Sequence, residues 1–270
     1  MSQVLRIGLE RVPITPPIGI MLTGYAVRTK GSEYLLDDLY ATALVLDNGE
    51  TKIALVTCDL IFLHPKSVAR IRREVVQRTD IPAAQIMICC SHTHSGPIIY
   101  PGPQQTARDH AYATNLIHQI AGAICAADAQ LQPGRIGYGR GQASIGVNRR
   151  EQRPDGQVVL GENLAGPVDP QVTILRLDST EGYPLAVVAN YACHAVALSY
   201  DSYGISADWP GAMRWAVESA TGATCLFVQG AGADINPCGG PKKDYDHVQK
   251  LGQSVAGSVL QAWADIEAMQ

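Results

Sequence analysis

Aromatic residues are scarce in this chain: two phenylalanines, three tryptophans and eleven tyrosines make up 6% of 270 residues. That leaves little for the stacking platforms on which single-stranded nucleic acids are held. Neither sign of charge dominates, with 21 basic against 25 acidic residues and a net charge of −4. This balance argues against nucleic acid or an anionic membrane as the main partner. No C-x-x-C occurs, and the cysteines are odd in number: Cys58, Cys89, Cys90, Cys125, Cys193, Cys225 and Cys238. Most sit in apolar runs, where cysteine behaves as a small hydrophobe. A disulfide scaffold is therefore not expected, and a reduced, cytoplasmic setting is. No run approaches the ~20 apolar residues of a membrane span, so stable membrane insertion is not expected either. The opening MSQVLRIGLERVPITPP has no long apolar region of the kind a signal peptide carries.

What is present is apolar mass: 46% of the chain is hydrophobic, enough for a large core in one domain. Residues 4–9 read as a first strand stopped by Ile14-Thr15-Pro16-Pro17. Gly19, Gly24 and Gly31 mark a loop. Residues 40–47 and 53–60 read as a hairpin around Asn48-Gly49, ending near Asp59. Residues 65–78 carry an apolar stripe of Val68, Ile71, Val75 and Val76 at helical spacing. Residues 86–90 form the next strand, giving a strand–helix–strand crossover. A helix is expected over 107–127, with His110 and His118 as ordinary helix residues. Short strands and turns are expected in the Gly- and Arg-rich stretch 134–156, which lacks the ending of a phosphate-binding loop. Strands at 171–177, 185–191 and 224–229 and helices from Asp208 through Val217 and over 245–264 complete the reading. The fold class is α/β: a mixed, largely buried sheet with helices packed around it.

The stretch at 85–103, QIMICCSHTHSGPIIYPGP, organises the rest. A buried strand delivers His92 and His94 to its carboxyl end, where Gly96 and Pro97 break regular structure. If the strand continues through Thr93, both imidazoles face one side. For an isolated H-x-H pair, one loop histidine and one packed histidine is the commoner arrangement. Two further strands alter that weighting, since residues 185–191 run into Cys193-His194 and residues 224–229 run into the glycine-rich GAGADINPCGG. Should these strand ends share one edge, His92, His94, His194, Asp59 and Asp234 converge. Histidines and carboxylates around an open position suit a catalytic zinc.

ITPP with Gly24-Tyr25, SHTHSGP, the VNR of Val147–Arg149, Cys193-His194 and ADINP occur in that order. Together they resemble the neutral/alkaline non-lysosomal ceramidase family, over almost the whole chain. The resemblance implies a ceramidase-like N-terminal catalytic domain over residues 1–270, or a piece of a longer chain. It implies a zinc amidase of sphingolipid metabolism, in which zinc-bound water attacks the amide carbonyl of an N-acyl lipid. His92 and His194 match the family's zinc-binding histidines. His94 and Arg149 match residues that contact the scissile region, and Gly24 one close to substrate. Asn236 stands where the family has a serine that assists the tetrahedral intermediate. An asparagine amide can donate to an oxyanion but is no nucleophile. The family's glutamate and tyrosine ligands have no match in this chain. Asp59, Asp208 and Asp234 are the in-chain candidates to replace them, although each also suits a turn or helix cap.

Two rivals stand beside this reading. One is a metal hydrolase of another class, although Ser95-Gly96 after His94 breaks the H-x-H-x-D-H run of metallo-β-lactamases. The other is a catalytically silent relative that binds a lipid or sugar. The cysteine pattern generates a separate expectation. Thiol titration under denaturing, non-reducing conditions should count seven free thiols, and five or fewer would contradict it.

Overall fold

The computed structural model describes residues 4–100 and 105–267. The tail of the organising stretch, Pro101, Gly102 and Pro103, lies outside them. The described chain runs β1 (Arg6–Pro13), β2 (Tyr34–Leu35), β3 (Tyr40–Asp47), β4 (Lys52–Cys58), α1 (Pro65–Val76), β5 (Ile86–Cys90) and α2 (Ala107–Ala129). It continues with β6 (Gln132–Gln142), β7 (Gly146–Gln152), β8 (Val158–Asn163), β9 (Gln171–Ser179), β10 (Pro184–Tyr191) and β11 (Gly204–Ile205). It closes with α3 (Asp208–Thr221), β12 (Thr224–Gln229), β13 (Ile235–Pro237) and α4 (Tyr245–Ala264).

Eight strands form one sheet in the order β12-β10-β9-β6-β1-β3-β4-β5. The pairs β4–β5 and β10–β12 are parallel and the rest antiparallel, so the sheet is mixed. It curls until its terminal strands β12 and β5 touch. Strand alternation splits the core accordingly. Ile7, Leu44, Leu177, Val188 and Leu226 pack together in one cluster. Their neighbours in sequence turn to the helices. Ala43, Val45 and Val56 meet Ile71, Val75, Ile120 and Ile124 of α1 and α2. Val187, Ala189 and Phe227 meet Trp209, Met213, Val255 and Val259 of α3 and α4. Burying such side chains is worth roughly 1.5–3 kcal/mol each.

Several boundaries differ from the sequence reading. β1 continues to Pro13 because every residue from Arg6 onward pairs with β3, and Arg11 bonds Thr42 and Glu218. α1 stops at Val76, and α2 runs to Ala129 behind a capping box of Thr106 and Asp109. The glycine-rich stretch makes two strands, the long β6 inside the sheet and β7 in a separate sheet with β8 and β13. Glycine there serves close packing, since a Cβ on Gly141 would sit 2.9 Å from the Ser258 carbonyl oxygen of α4. All seven cysteines are unpaired.

A buried ion pair joins the two halves. Asp59, directly after β4, takes both guanidinium nitrogens of Arg214 on α3 at 2.6 Å each. Asp59 is fully buried, Arg214 is 7% exposed, and Oδ2 of Asp59 also accepts the Tyr40 amide at 2.9 Å. Removing one partner leaves a buried charge uncompensated. Arg214→Met or Asp59→Asn alone should cost about 3–5 kcal/mol in denaturant unfolding, with the apolar pair Asp59→Leu/Arg214→Met recovering most of it. Single variants at wild-type stability would show that the pair carries no such weight.

Candidate metal centre

The loops after β5 and β10 meet at the edge where both parallel pairs end. Three contacts stitch them. The His94 amide donates to the Ala195 carbonyl at 3.1 Å, the Ser206 amide to the Ser95 carbonyl at 3.1 Å, and the Thr93 hydroxyl to the Ser206 carbonyl at 2.8 Å. β5 ends at Cys90, so the two imidazoles do not reach one side by strand alternation. His92 instead adopts a left-handed φ of 63°. For a non-glycine residue this costs about 1–2 kcal/mol. Its amide is held by the Leu60 carbonyl at 3.0 Å and the neighbouring Ser91 amide by the Cys58 carbonyl at 2.9 Å. Such strain persists where the surroundings over-determine it, and it gathers at functional sites.

The result is a cluster of three imidazoles. Ring centroids lie 4.8 Å apart for His92 and His194, 5.1 Å for His92 and His94, and 5.7 Å for His94 and His194. Nδ1 of His92 donates to the Ile61 carbonyl at 2.9 Å, and Nδ1 of His194 to the Gly232 carbonyl at 2.7 Å. A carbonyl only accepts, so each Nδ1 is the donor, which leaves Nε2 as the ligating atom, on His194 facing Arg149 Nη1 at 3.4 Å. This is how ligating histidines are usually oriented from behind. The His194 backbone is fixed as well, by Trp209 Nε1 to its carbonyl at 2.8 Å and by its amide to the Ile235 carbonyl at 2.9 Å. Both ring nitrogens of His94 are buried without a partner. Burial, then the neighbouring His92 and His194, lowers its pKa to about 3, and burial lowers that of His194 too. His94 is therefore neutral at pH 7. One donor atom from each of the three rings lies within 4.8 Å of the others, so the residues present fit a metal ion.

The other sequence candidates divide. Arg149, on β7, joins the site: its Nη1 lies 3.4 Å from His194 Nε2, and its amide donates to the Asp234 carbonyl at 2.7 Å. Arg149, His92 and His194 line one cavity of about 380 Å³ with Gln229, Gly230, Gly232 and Ala233. Gly24 also joins. It has φ 93°, and a Cβ there would fall 2.4 Å from Cγ of His94. Asn236 sits on β13 opposite Val147, its Oδ1 buried without a partner, and it is not among the residues lining that cavity.

None of the three candidate carboxylates joins the histidines among the described residues. Asp59 is spent on Arg214. Asp208 accepts the amides of Ala197, Leu198 and Trp209, which closes the turn after His194. Asp234 accepts Asn148 Nδ2 at 3.3 Å. Sequence reasoning passed over Gln229 and over Arg28, a buried arginine that donates to the His94 carbonyl. The available signal for Arg28 was a lone arginine inside a glycine-rich loop four residues after Gly24.

Comparison with known proteins fits this geometry. Residues 5–258 match the model for neutral/alkaline non-lysosomal ceramidase, N-terminal. The chain belongs to that family. The neutral ceramidase of Pseudomonas aeruginosa is 24% identical over an alignment of 278 residues covering 92% of this chain and 40% of the relative. The crystal structure of a neutral ceramidase from Pseudomonas aeruginosa superposes with a TM-score of 0.82 at 20% identity, over 98% of this chain and 45% of that one. A ceramidase complexed with C2 gives 0.81 at 19% identity, over 97% and 44%. This ceramidase-family chain thus spans less than half the length of the relatives it matches.

Gly24 supplies a direct check on the family site. Gly24→Ala should push the His94 ring aside and shift its imidazole signals in nitrogen-15 spectra of the histidine-labelled chain. His118→Ala, on the outer face of α2, serves as the unchanged control. Wild-type His94 signals in folded Gly24→Ala would remove the close approach from the site.

Proposed function

We propose that this chain hydrolyses a linear N-acyl amide, ceramide-like in character, with zinc held by His92 and His194. The observation that carries the reading is the pair of imidazoles of His92 and His194, each fixed from behind by a carbonyl bond at Nδ1, in one cluster whose donor atoms lie within 4.8 Å of one another. When bound, zinc supplies a Lewis acid that lowers the pKa of water and polarises a carbonyl oxygen.

The chain's own residues do the remaining work. His94, neutral and with both nitrogens free, can accept a proton or donate one at the scissile group. Arg149 brings five fixed donors and a permanent charge to the cavity wall, suited to orienting an amide oxygen. The Asn236 amide is proposed as a further donor to the oxyanion. On the Gly24 loop, a second cavity of about 380 Å³ is lined by Leu22, Ile61, Phe62, Ile98 and Tyr100 together with Thr23 and Arg28. Its apolar walls suit an acyl chain, and exclusion of water by such a chain strengthens every polar contact beside it.

A second reading, a silent relative that binds a lipid or sugar, draws support from the absence of Asn236 among the cavity's lining residues. Metal analysis and N-acyl turnover separate the two. The expected result is one zinc per chain and release of amine from an N-acyl sphingoid base, with both lost in His92→Ala and His194→Ala. His94→Ala should keep the metal and lose turnover; loss of metal instead would make His94 a ligand. Asn236→Ala should raise the barrier by about 2.7–4 kcal/mol at unchanged folding, with Asn236→Ser recovering rate. One zinc bound with no turnover on any N-acyl substrate would favour the silent reading.

A further inference from the structure

We infer that Arg28 is the positioning residue of this site, its guanidinium fixing the loop of Gly24, the loop of His94 and the loop beyond His194 against one another. The inference rests on the cluster being hydrolytic only for its kinetic arm. Arg28 is 2% exposed. Its Nη1 donates to the Thr23 carbonyl at 2.8 Å and to the His94 carbonyl. Its Nη2 donates to the carbonyls of Ser202 at 2.9 Å and Ser199 at 3.4 Å, and its Nε to the Tyr200 carbonyl at 3.1 Å. A guanidinium has five N–H donors and no acceptor, so every donor is used. Each meets a backbone carbonyl, and the carbonyls come from three separate segments.

Two further observations set this arginine apart from an ordinary buried ion pair. Among the described residues no carboxylate stands within ion-pair distance of it, and the titratable groups that act on it are the phenols of Tyr25, Tyr203 and Tyr34. Its Cζ instead lies 4.7 Å from the centre of the Tyr25 ring. A buried cation without a counter-charge is costly, and an apolar side chain would fill the volume at lower cost. The fork is what an apolar residue, or a lysine with three donors, cannot reproduce. The second observation is placement. One nitrogen of Arg28 fixes Thr23 and His94 together, and Gly24 touches the His94 ring with no room for a methyl group. Tyr25 closes the other side, its ring 5.2 Å from that of His94 and its hydroxyl on the Leu198 carbonyl at 2.7 Å. The backbone of His94 is thus set by the guanidinium and its ring by the two residues before Ala26. Arg28 itself lines the apolar cavity beside His94.

The test uses the whole chain with nitrogen-15-labelled histidine, metal-free, in wild type, Arg28→Met and Arg28→Lys. Imidazole proton–nitrogen spectra should show the His94 signals shifted or broadened in both variants, with His110 and His118 unmoved. A misplacement near 1 Å costs on the order of 10²-fold in rate, so kcat per folded molecule on an N-acyl sphingoid base should fall by about that factor while KM changes little. Arg28→Lys keeps the charge, so its failure to restore kcat would assign the effect to the fork. Wild-type His94 signals in folded Arg28→Met, or in Arg28→Lys should the methionine variant not fold, would overturn the inference. So would full kcat in Arg28→Lys, or a loss of activity accounted for entirely by a smaller folded fraction. Absence of turnover in the wild type would sink the hydrolytic reading alone and leave the spectra to decide the role of Arg28.

Discussion

Two parallel strand pairs, β4–β5 and β10–β12, end at one edge, and the histidines meet because the sheet curls far enough to bring those ends together. The constraint is register. In a strand the side-chain period is two, so a one-residue slip would exchange core and solvent faces. Here the seven-residue antiparallel ladder of β3 with β4 and the nine-residue ladder of β6 with β9 hold both halves in place. Backbone bonds from His94 to Ala195 and from Ser206 to Ser95 then join loops that are about a hundred residues apart in the chain. The left-handed backbone at His92 survives because these neighbours leave it no alternative.

The electrostatic setting follows from the same packing. Three imidazoles are gathered without a carboxylate among them, and the two nearest fixed charges, Arg28 and Arg149, are positive. Protonation of His94 is opposed by burial and by both histidine and cationic neighbours, so its ring stays neutral through neutral pH. The hydrogen bonds behind the His92 and His194 rings go to the backbone carbonyls of Ile61 and Gly232 rather than to a carboxylate. Each carbonyl belongs to a loop already fixed by the strand end before it.

The carboxylates that might have completed a metal sphere are occupied in holding the scaffold. Asp59 anchors α3 through Arg214, Asp208 closes the turn that follows His194, and Asp234 braces β7 through Asn148 and the Arg149 amide. Their burial or turn position made them plausible ligands in one dimension. In three, each faces hydrogen-bond donors, and burial drives Asp208 up to about 6 despite three amides.

The sequence by itself determined the α/β class, the order of the principal strands and helices, and the identity of the three histidines. Those features are local: apolar runs, helical stripes, turn residues and short motifs such as SHTHSGP each act within a few residues. Strand ends were legible to within a few residues, except where long-range pairing extended β1 and made one strand of the glycine-rich β6. The tertiary structure alone decided that His94 stands with His92 and His194 and that Asp59 does not. It also decided that Gly24 abuts an imidazole and that Arg28 bonds three loops at once. These depend on contacts between residues 66 to about 170 positions apart, whose partners no local pattern specifies. The physical reason is that a buried polar group takes whatever donor or acceptor the closed core brings to it, and closure is a property of the whole chain.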